Sequence, residues 1–192
     1  MSKLPAIDVR PIGLDNLSEL RHLHSQSYRS FLGPDLSQDK LDALLEFVRT
    51  PSYLDLILLT ECLGAWIDSR LCATGSWMPG GASRSGAKLA GLCVDPLFTG
   101  LGLGTRMVHE LEVRGRRAGF AVMSLRAPPS TAPFFERQGY VASSRGVWST
   151  ACGVSVPVMH MRKGEMREAA PDGLRPVPAE QAAHIASHSR LH

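Results

Sequence analysis

The sequence has no C-x-x-C pair. Its four cysteines, Cys62, Cys72, Cys93 and Cys152, are scattered along 192 residues. This gives neither a zinc-ribbon pattern nor a dense disulfide framework, and three of the four sit in apolar stretches where a free thiol behaves as a small hydrophobe. A reducing, cytoplasmic setting is therefore expected. Long apolar runs are also missing. None approaches the ~20 residues of a membrane span, and the first residues, MSKLPAIDVRPIG, lack the apolar core of a secretory signal. A soluble protein without a membrane partner is the expectation. Blocks of one charge are absent too. The net charge is only +3, and the densest basic run (Arg114, Arg116, Arg117) falls where a helix presents a solvated face, so no nucleic-acid partner is expected.

Two catalytic signatures are absent as well. There is no H-E-x-x-H for a metalloprotease and no G-x-S-x-G for a nucleophile elbow. His184, His188 and His192 recur at every fourth position. No carboxylate or cysteine stands in register with them, so they read as a solvated tail and no metal is expected.

What remains is one globular domain, 44% hydrophobic and 20% charged. Ile7 to Ile12 alternates as a strand. Asp15 can cap a helix with the inner stripe Leu17, Leu20, His24 and Tyr28, which Gly33-Pro34 breaks. Ser37 can cap a second helix carrying Leu41, Leu44, Leu45 and Val48, stopped ahead of Pro51. Leu54 to Thr60 is open between helix end and strand. Leu63 to Ile67 and Leu71 to Trp77 flank Asp68-Ser69-Arg70 as a hairpin. A polar loop leads to the apolar strand Leu89 to Val94. Beyond it, a helix carries Leu103, Met107, Leu111 and Gly115 on one stripe and ends at Gly119. Ala121 to Leu125 reads as a strand, Thr131 to Arg137 as a short helix, and Tyr140–Ser149 and Val154–Met161 as the last strands. The order predicts a mixed α/β fold without regular βαβ repetition. Residues 1–163 form the domain. From Gly164 to residue 192 the composition turns to Ala, Pro, Glu and His, an appendage with at most a short helix.

Between the strand ending at Val94 and the helix lies Thr99-Gly100-Leu101-Gly102-Leu103-Gly104-Thr105. Alternate glycines turn tightly and expose backbone N–H groups unobstructed by Cβ atoms. A helix N-terminus aims further donors and a partial positive charge at the same point, and a pyrophosphate suits such a site. The lysine of a Walker loop is absent, since Gly104 is followed by Thr105-Arg106. The third glycine of a dinucleotide fingerprint falls one place early.

The pattern resembles the acyl-CoA signature of the GNAT superfamily, a strand ending V-x-P followed by Q/R-x-x-G-x-G/A at the head of a helix. Here it stands as Val94-Asp95-Pro96, then Thr99 to Gly104, with Thr99 in place of Arg or Gln. Downstream, Ala132-Pro133-Phe134-Phe135-Glu136-Arg137-Gln138-Gly139-Tyr140 is similar to the family's A-x-x-F-Y-x-x-x-G-F/Y element. The likeness covers roughly residues 5 to 163. It implies a mostly antiparallel central sheet flanked by helices and splayed near Val94, with acetyl-CoA as cosubstrate and an amine acceptor as partner. A homodimer is compatible with it.

Roles follow from the resemblance residue by residue. The backbone N–H of Leu92 would polarise the thioester carbonyl, and Val94 would pair with the pantetheine arm. Thr99, Gly100, Leu101, Gly102, Leu103, Gly104 and Thr105 would hold the pyrophosphate, and Phe134 and Phe135 would line the thiol end. Two departures matter. Phe135 stands where the family commonly has a tyrosine that protonates the leaving thiolate, and Pro129 stands where an asparagine is common. Ser130 and Thr131 are the nearest hydroxyls. Glu61 and His160 are candidate bases that also read as surface or structural residues. Asp95 reads as a turn residue, and Trp66, Trp77 and Trp148 as core or pocket walls. The implied reaction is acetyl transfer to a primary amine. The alternative is an acyl-CoA-binding sensor with little turnover.

Overall fold

The computed structural model describes residues 6–80 and 86–164. Seven strands form one sheet in the order β1-β2-β3-β4-β5-β7-β6. They are β1 (Asp8–Pro11), β2 (Glu61–Ile67), β3 (Arg70–Pro79), β4 (Gly86–Val94), β5 (Val122–Ala127), β6 (Val141–Ser149) and β7 (Ser155–Lys163). Among the described strands only β4 and β5 run parallel. Pro11 is tolerated because β1 is an edge strand, where a missing N–H breaks no inner ladder. β2 and β3 turn on Asp68 and Ser69, both at positive φ (45° and 68°), the mirror-image turn whose twist suits a two-residue hairpin.

Helices cover both faces. On one side lie α1 (Leu17–Ser27), α2 (Gln38–Arg49) and α3 (Pro51–Leu58). The ambiguous segment before Thr60 is thus helical. Thr50 accepts a hydrogen bond from Tyr53 N, and Pro51 occupies the first helical turn, where its missing N–H costs nothing. Asp15 does not cap α1 directly. It lies in a short 3-10 turn, and α1 begins after Asn16, whose Oδ1 accepts from Gly13 N. Leu20, Leu23, Val48, Tyr53, Ile57, Trp66 and Leu71 pack together here.

On the other side lie α4 (Leu103–Arg117) and α5 (Ala132–Arg137). Leu103, Met107, Leu111 and Gly115 bury one stripe of α4 against Ala73, Ala87, Leu89, Met123 and Leu125. Gly115 lets α4 approach the sheet, since a Cβ there would stand 2.7 Å from Met123 Cε. At the C-terminus of α4, Gly119 N bonds Arg116 O and Phe120 N bonds Gly115 O with Gly119 at φ 88°, a Schellman stop. Of the basic run in α4, Arg114 pairs with Glu61 and Arg116 approaches the buried Glu112. Among the described residues no helix is long and apolar enough to cross a membrane, and no group of three His, Cys, Asp or Glu could hold a metal ion. The appendage and its three histidines lie outside the described residues.

Candidate active site

The site begins with a break in the sheet. β4 and β5 pair only at Gly86↔Val122, Ala87↔Met123 and Lys88↔Ser124. Beyond Lys88 they separate, while β5 stays paired with β7 as far as Ala127. On its other side β4 pairs with β3 through a bulge. Thr74 opposes Cys93 and Ser76 opposes Ala90, so Gly91 and Leu92 together face Gly75 alone. Gly91 takes φ 59°, where a side chain would be strained. A bulge re-aims the backbone groups around it, here at Leu92, beside the gap.

The gap continues into a cleft of about 760 Å³ that runs to the head of α4. Asp95 bridges the two. Its carboxylate accepts from Leu97 N at 2.9 Å and from Arg70 Nη2 at 2.7 Å, pinning the strand exit. Asp95 is thus a buried, ion-paired anchor as well as a turn residue. Gly100 and Gly102 both have positive φ (86° and 78°), and a Cβ on either would meet no atom within 4 Å. The space beside both is open, and any other residue would project a side chain into it. The first intrahelical bond of α4 is Arg106 N to Gly102 O at 2.9 Å. The preceding amides, on Leu103, Gly104 and Thr105, have no carbonyl upstream within the helix and suit an anion.

The cleft brings together Leu92, Val94, Thr99, Gly100, Gly102, Leu103, Gly104, Thr105, Phe134 and Phe135. Leu101 is not on its wall and is 52% exposed. Phe134 lies against the loop, with its Cζ 3.1 Å from where a Cβ on Gly104 would be. Phe135 is buried, edge-on to both Phe134 and Tyr140. Ser130 and Thr131 line the cleft, but their hydroxyls are engaged. Ser130 Oγ bonds Phe31 O at 3.0 Å and Asp35 Oδ2, and Thr131 Oγ1 donates to Pro128 O at 3.1 Å. Glu61 lies away from the cleft, its carboxylate 2.8 Å from Arg114. His160 lies in a second cavity on β7. Trp66 and Trp77 are core residues, whereas Trp148 is 39% exposed and lines the cleft.

Several wall residues were not singled out from the sequence. Tyr28, Phe31, Arg126 and Gln138 are among them. Arg126 carried a readable signal, because Ser124 and Arg126 are the polar alternates of a strand whose other face is Met123, Leu125 and Ala127. Tyr28 belongs to a chain of polar groups beneath the bulge. Thr74 Oγ1 donates to Gly91 O at 3.4 Å, so it accepts from His24 Nε2 at 2.6 Å. That tautomer leaves His24 Nδ1 to accept from the Tyr53 hydroxyl, itself 3.3 Å from Tyr28 Oη. Burial holds the His24 pKa down from 6.5 to about 3, fixing the ring neutral. Burial likewise raises the phenols of Tyr28 and Tyr53 and pushes the Cys93 thiol up to about 12. α1 also reaches β4 through Ser27, whose hydroxyl accepts from Val94 N at 3.4 Å.

A sheet gap with a re-aimed amide, continuous with a glycine-lined helix head, can hold an extended ligand ending in phosphates. Known proteins carry the same architecture. A GCN5-related N-acetyltransferase from Rhodopseudomonas palustris superposes with a TM-score of 0.73 at 21% identity, over 85% of this chain and 98% of that one. The PaiA N-acetyltransferase of Thermoplasma acidophilum, solved with coenzyme A, gives a TM-score of 0.64 at 19% identity, over 83% and 99%. A GNAT-family acetyltransferase from Brucella melitensis, solved with acetyl-CoA, gives 0.58 at 17%, over 91% and 98%. No curated protein matches the chain. The model of the acetyltransferase (GNAT) domain matches residues 36–163, from before α2 to the end of β7, so the chain belongs to the GNAT acetyltransferase family.

Proposed function

We propose that this protein transfers an acetyl group from acetyl-CoA to the amine of an acceptor. The observation that carries this reading is the single cleft joining the bulge at Gly91–Leu92 to the open glycine loop. The loop fits a pyrophosphate because no atom lies where Cβ atoms on Gly100 and Gly102 would be. Acetyl-CoA supplies the activated acyl group and the thiol leaving group. The amides of Leu103, Gly104 and Thr105 hold phosphate oxygens, and the edge of β4 left without a β5 partner beyond Lys88 offers backbone groups to an extended arm. The Leu92 N–H donates to the thioester carbonyl oxygen, where charge develops as the amine nitrogen bonds to the carbonyl carbon and the carbon–sulfur bond breaks. The proton lost by nitrogen is balanced by the one gained by sulfur. Holding both reactants in the gap supplies much of the acceleration.

A second reading, an acyl-CoA-binding module without turnover, is favoured by one observation. Phe135 has no proton to give, and the hydroxyls of Ser130 and Thr131 are already committed to other acceptors. Release of free thiol from acetyl-CoA over an amine panel separates the two, measured on the parent and on Phe135→Tyr. For an enzyme limited by leaving-group departure the added hydroxyl raises turnover, up to the roughly 10²–10⁴-fold ceiling of general acid help. It costs about 1–3 kcal/mol of stability where it stays unpaired among Phe134 and Tyr140. Parent activity unchanged by the substitution rejects the placement of Phe135 at sulfur. Activity absent from both proteins rejects transferase function.

A further inference from the structure

A second cavity, of about 320 Å³, lies on the sheet face that carries α1 to α3. Its walls follow from register. Lys88 opposes Ser124 across the parallel junction, Ser124 opposes Arg162, and Arg126 opposes His160. Directly opposed residues share a face, so these side chains form two adjoining rows, while Met123, Leu125 and Met161 enter the core below. Among the described residues no carboxylate lines the cavity. Among the described residues, none of the ion pairs includes Lys88, Arg126 or Arg162. Both serine hydroxyls donate elsewhere, Ser124 to Ala87 O and Ser143 to His160 O, which leaves the cations to face the space.

The cavity adjoins the reaction gap. Leu125 and Arg126 line both it and the cleft. Arg126 stands two residues beyond the last parallel pair, level with Ala90 and just short of the bulge. Trp148 flanks it, its ring 6.0 Å from the guanidinium.

We propose that the acceptor is a small amine that also bears an oxyanion, a carboxylate or a phosphate, and that this anion seats among Lys88, Arg126, His160 and Arg162. Lys88 is half-buried and Arg126 and Arg162 stand exposed at the rim, and cations gathered in adjoining rows without a counter-charge repel one another unless a ligand supplies one. Lys88 registers the imbalance, since burial first and Arg126 second lower its pKa to about 8. The volume suits the charged end of a small molecule. The assignment of the amine end rests on the acyl-transfer reading. The anion site rests on the cavity alone.

The experiment compares 4-aminobutyrate with butylamine, and O-phosphoethanolamine with ethanolamine, as acceptors from acetyl-CoA. Lys88→Met/Arg162→Gln is the test variant, and Arg162→Gln alone, at an exposed position, is the second. Arg126 is spared because it also lines the cleft. In the parent the anionic member of at least one pair is favoured by about 10–100-fold in kcat/KM, as for charge-assisted hydrogen bonds. The pair that shows it separates carboxylate from phosphate. The variants lose the preference and keep the rate with the neutral amine. Equal rates within both pairs overturn the proposal, as does preference for an acidic peptide over both small anions. A binding arm needs no turnover. With CoA saturating the glycine loop, inorganic phosphate or acetate raises the parent's melting temperature at fixed ionic strength, and less so the variants'. Such a difference without acetylation of any amine upholds the anion site and sinks the acyl-transfer reading. Consumption of amines without preference, with equal shifts in parent and variants, does the reverse.

Discussion

At the scale of single residues, the glycine loop divides into two kinds of position. Gly102 sits at φ 78° with open space where a side chain would project. Gly102→Ala therefore strains the backbone by roughly 1–2 kcal/mol and also places a methyl group in the open space proposed for the pyrophosphate. Gly104 has ordinary helical φ, and its Cβ would meet the tip of Phe134 at 3.1 Å. Gly104→Ala is expected to cost the fold little, with any pressure on Phe134 offset by up to about 1 kcal/mol of helix propensity. Both variants are expected to bind acetyl-CoA more weakly, and only Gly102→Ala to melt clearly lower without ligand, as calorimetry and thermal melts would show. Binding unchanged in both would remove the loop from the site. These residues were legible in the sequence because a missing Cβ is itself a local signal. Tyr28 was not, and Arg126 was legible only as a polar alternate of its strand, because their place on the wall depends on which elements adjoin, and that is set by register far along the chain.

At the scale of elements, α1 is bolted to the back of the bulge. His24, Tyr53 and Thr74 come from α1, α3 and β3, and their chain ends on the Gly91 carbonyl, one residue from Leu92. The sequence placed His24 on the inner stripe of its helix but could not name its partners, which lie 29 and 50 residues away. The link carries a pH signature. His24 has its folded pKa lowered from 6.5 to about 3, so the unfolded chain binds the proton first. The stabilising contribution is complete above pH 6.5 and is lost as pH falls towards 3. Between pH 6.5 and about 5, before carboxylates titrate strongly, this amounts to about 1.4 kcal/mol per pH unit. Tyr28, Tyr53 and Cys93 face the same buried region, and their raised pKa values keep them neutral throughout that window. Urea midpoints at stepped pH should show the slope in the parent and a flattened one in His24→Gln. An unchanged slope would mean that another group titrates.

At the scale of the whole molecule, the fold class was readable because strand and helix periods alternate cleanly and each helix has recognisable ends. The split between β4 and β5 was anticipated near Val94, whereas the strands already part after Lys88, because a three-rung junction leaves no trace in composition. The family match ends at Lys163, which closes β7 and clamps the buried Glu112 of α4 at 2.9 Å. A chain ended after Gly164 is accordingly expected to keep the same melting shift with acetyl-CoA as the full chain. Loss of soluble protein on that truncation would show that the remaining residues complete the core or an interface. The short junction also has a kinetic meaning. β2, β3 and β4 follow one another as neighbours and β6 with β7 forms a hairpin, so these pairs can assemble from local contacts, while the seam between β4 and β5, like the β1–β2 and β5–β7 pairings, must close a longer loop. A molecule spanning that seam can bind only after it has closed. Acetyl-CoA would then slow the chain's unraveling without hastening its assembly, so the lifetime of the native protein would follow the surrounding supply of its own cosubstrate.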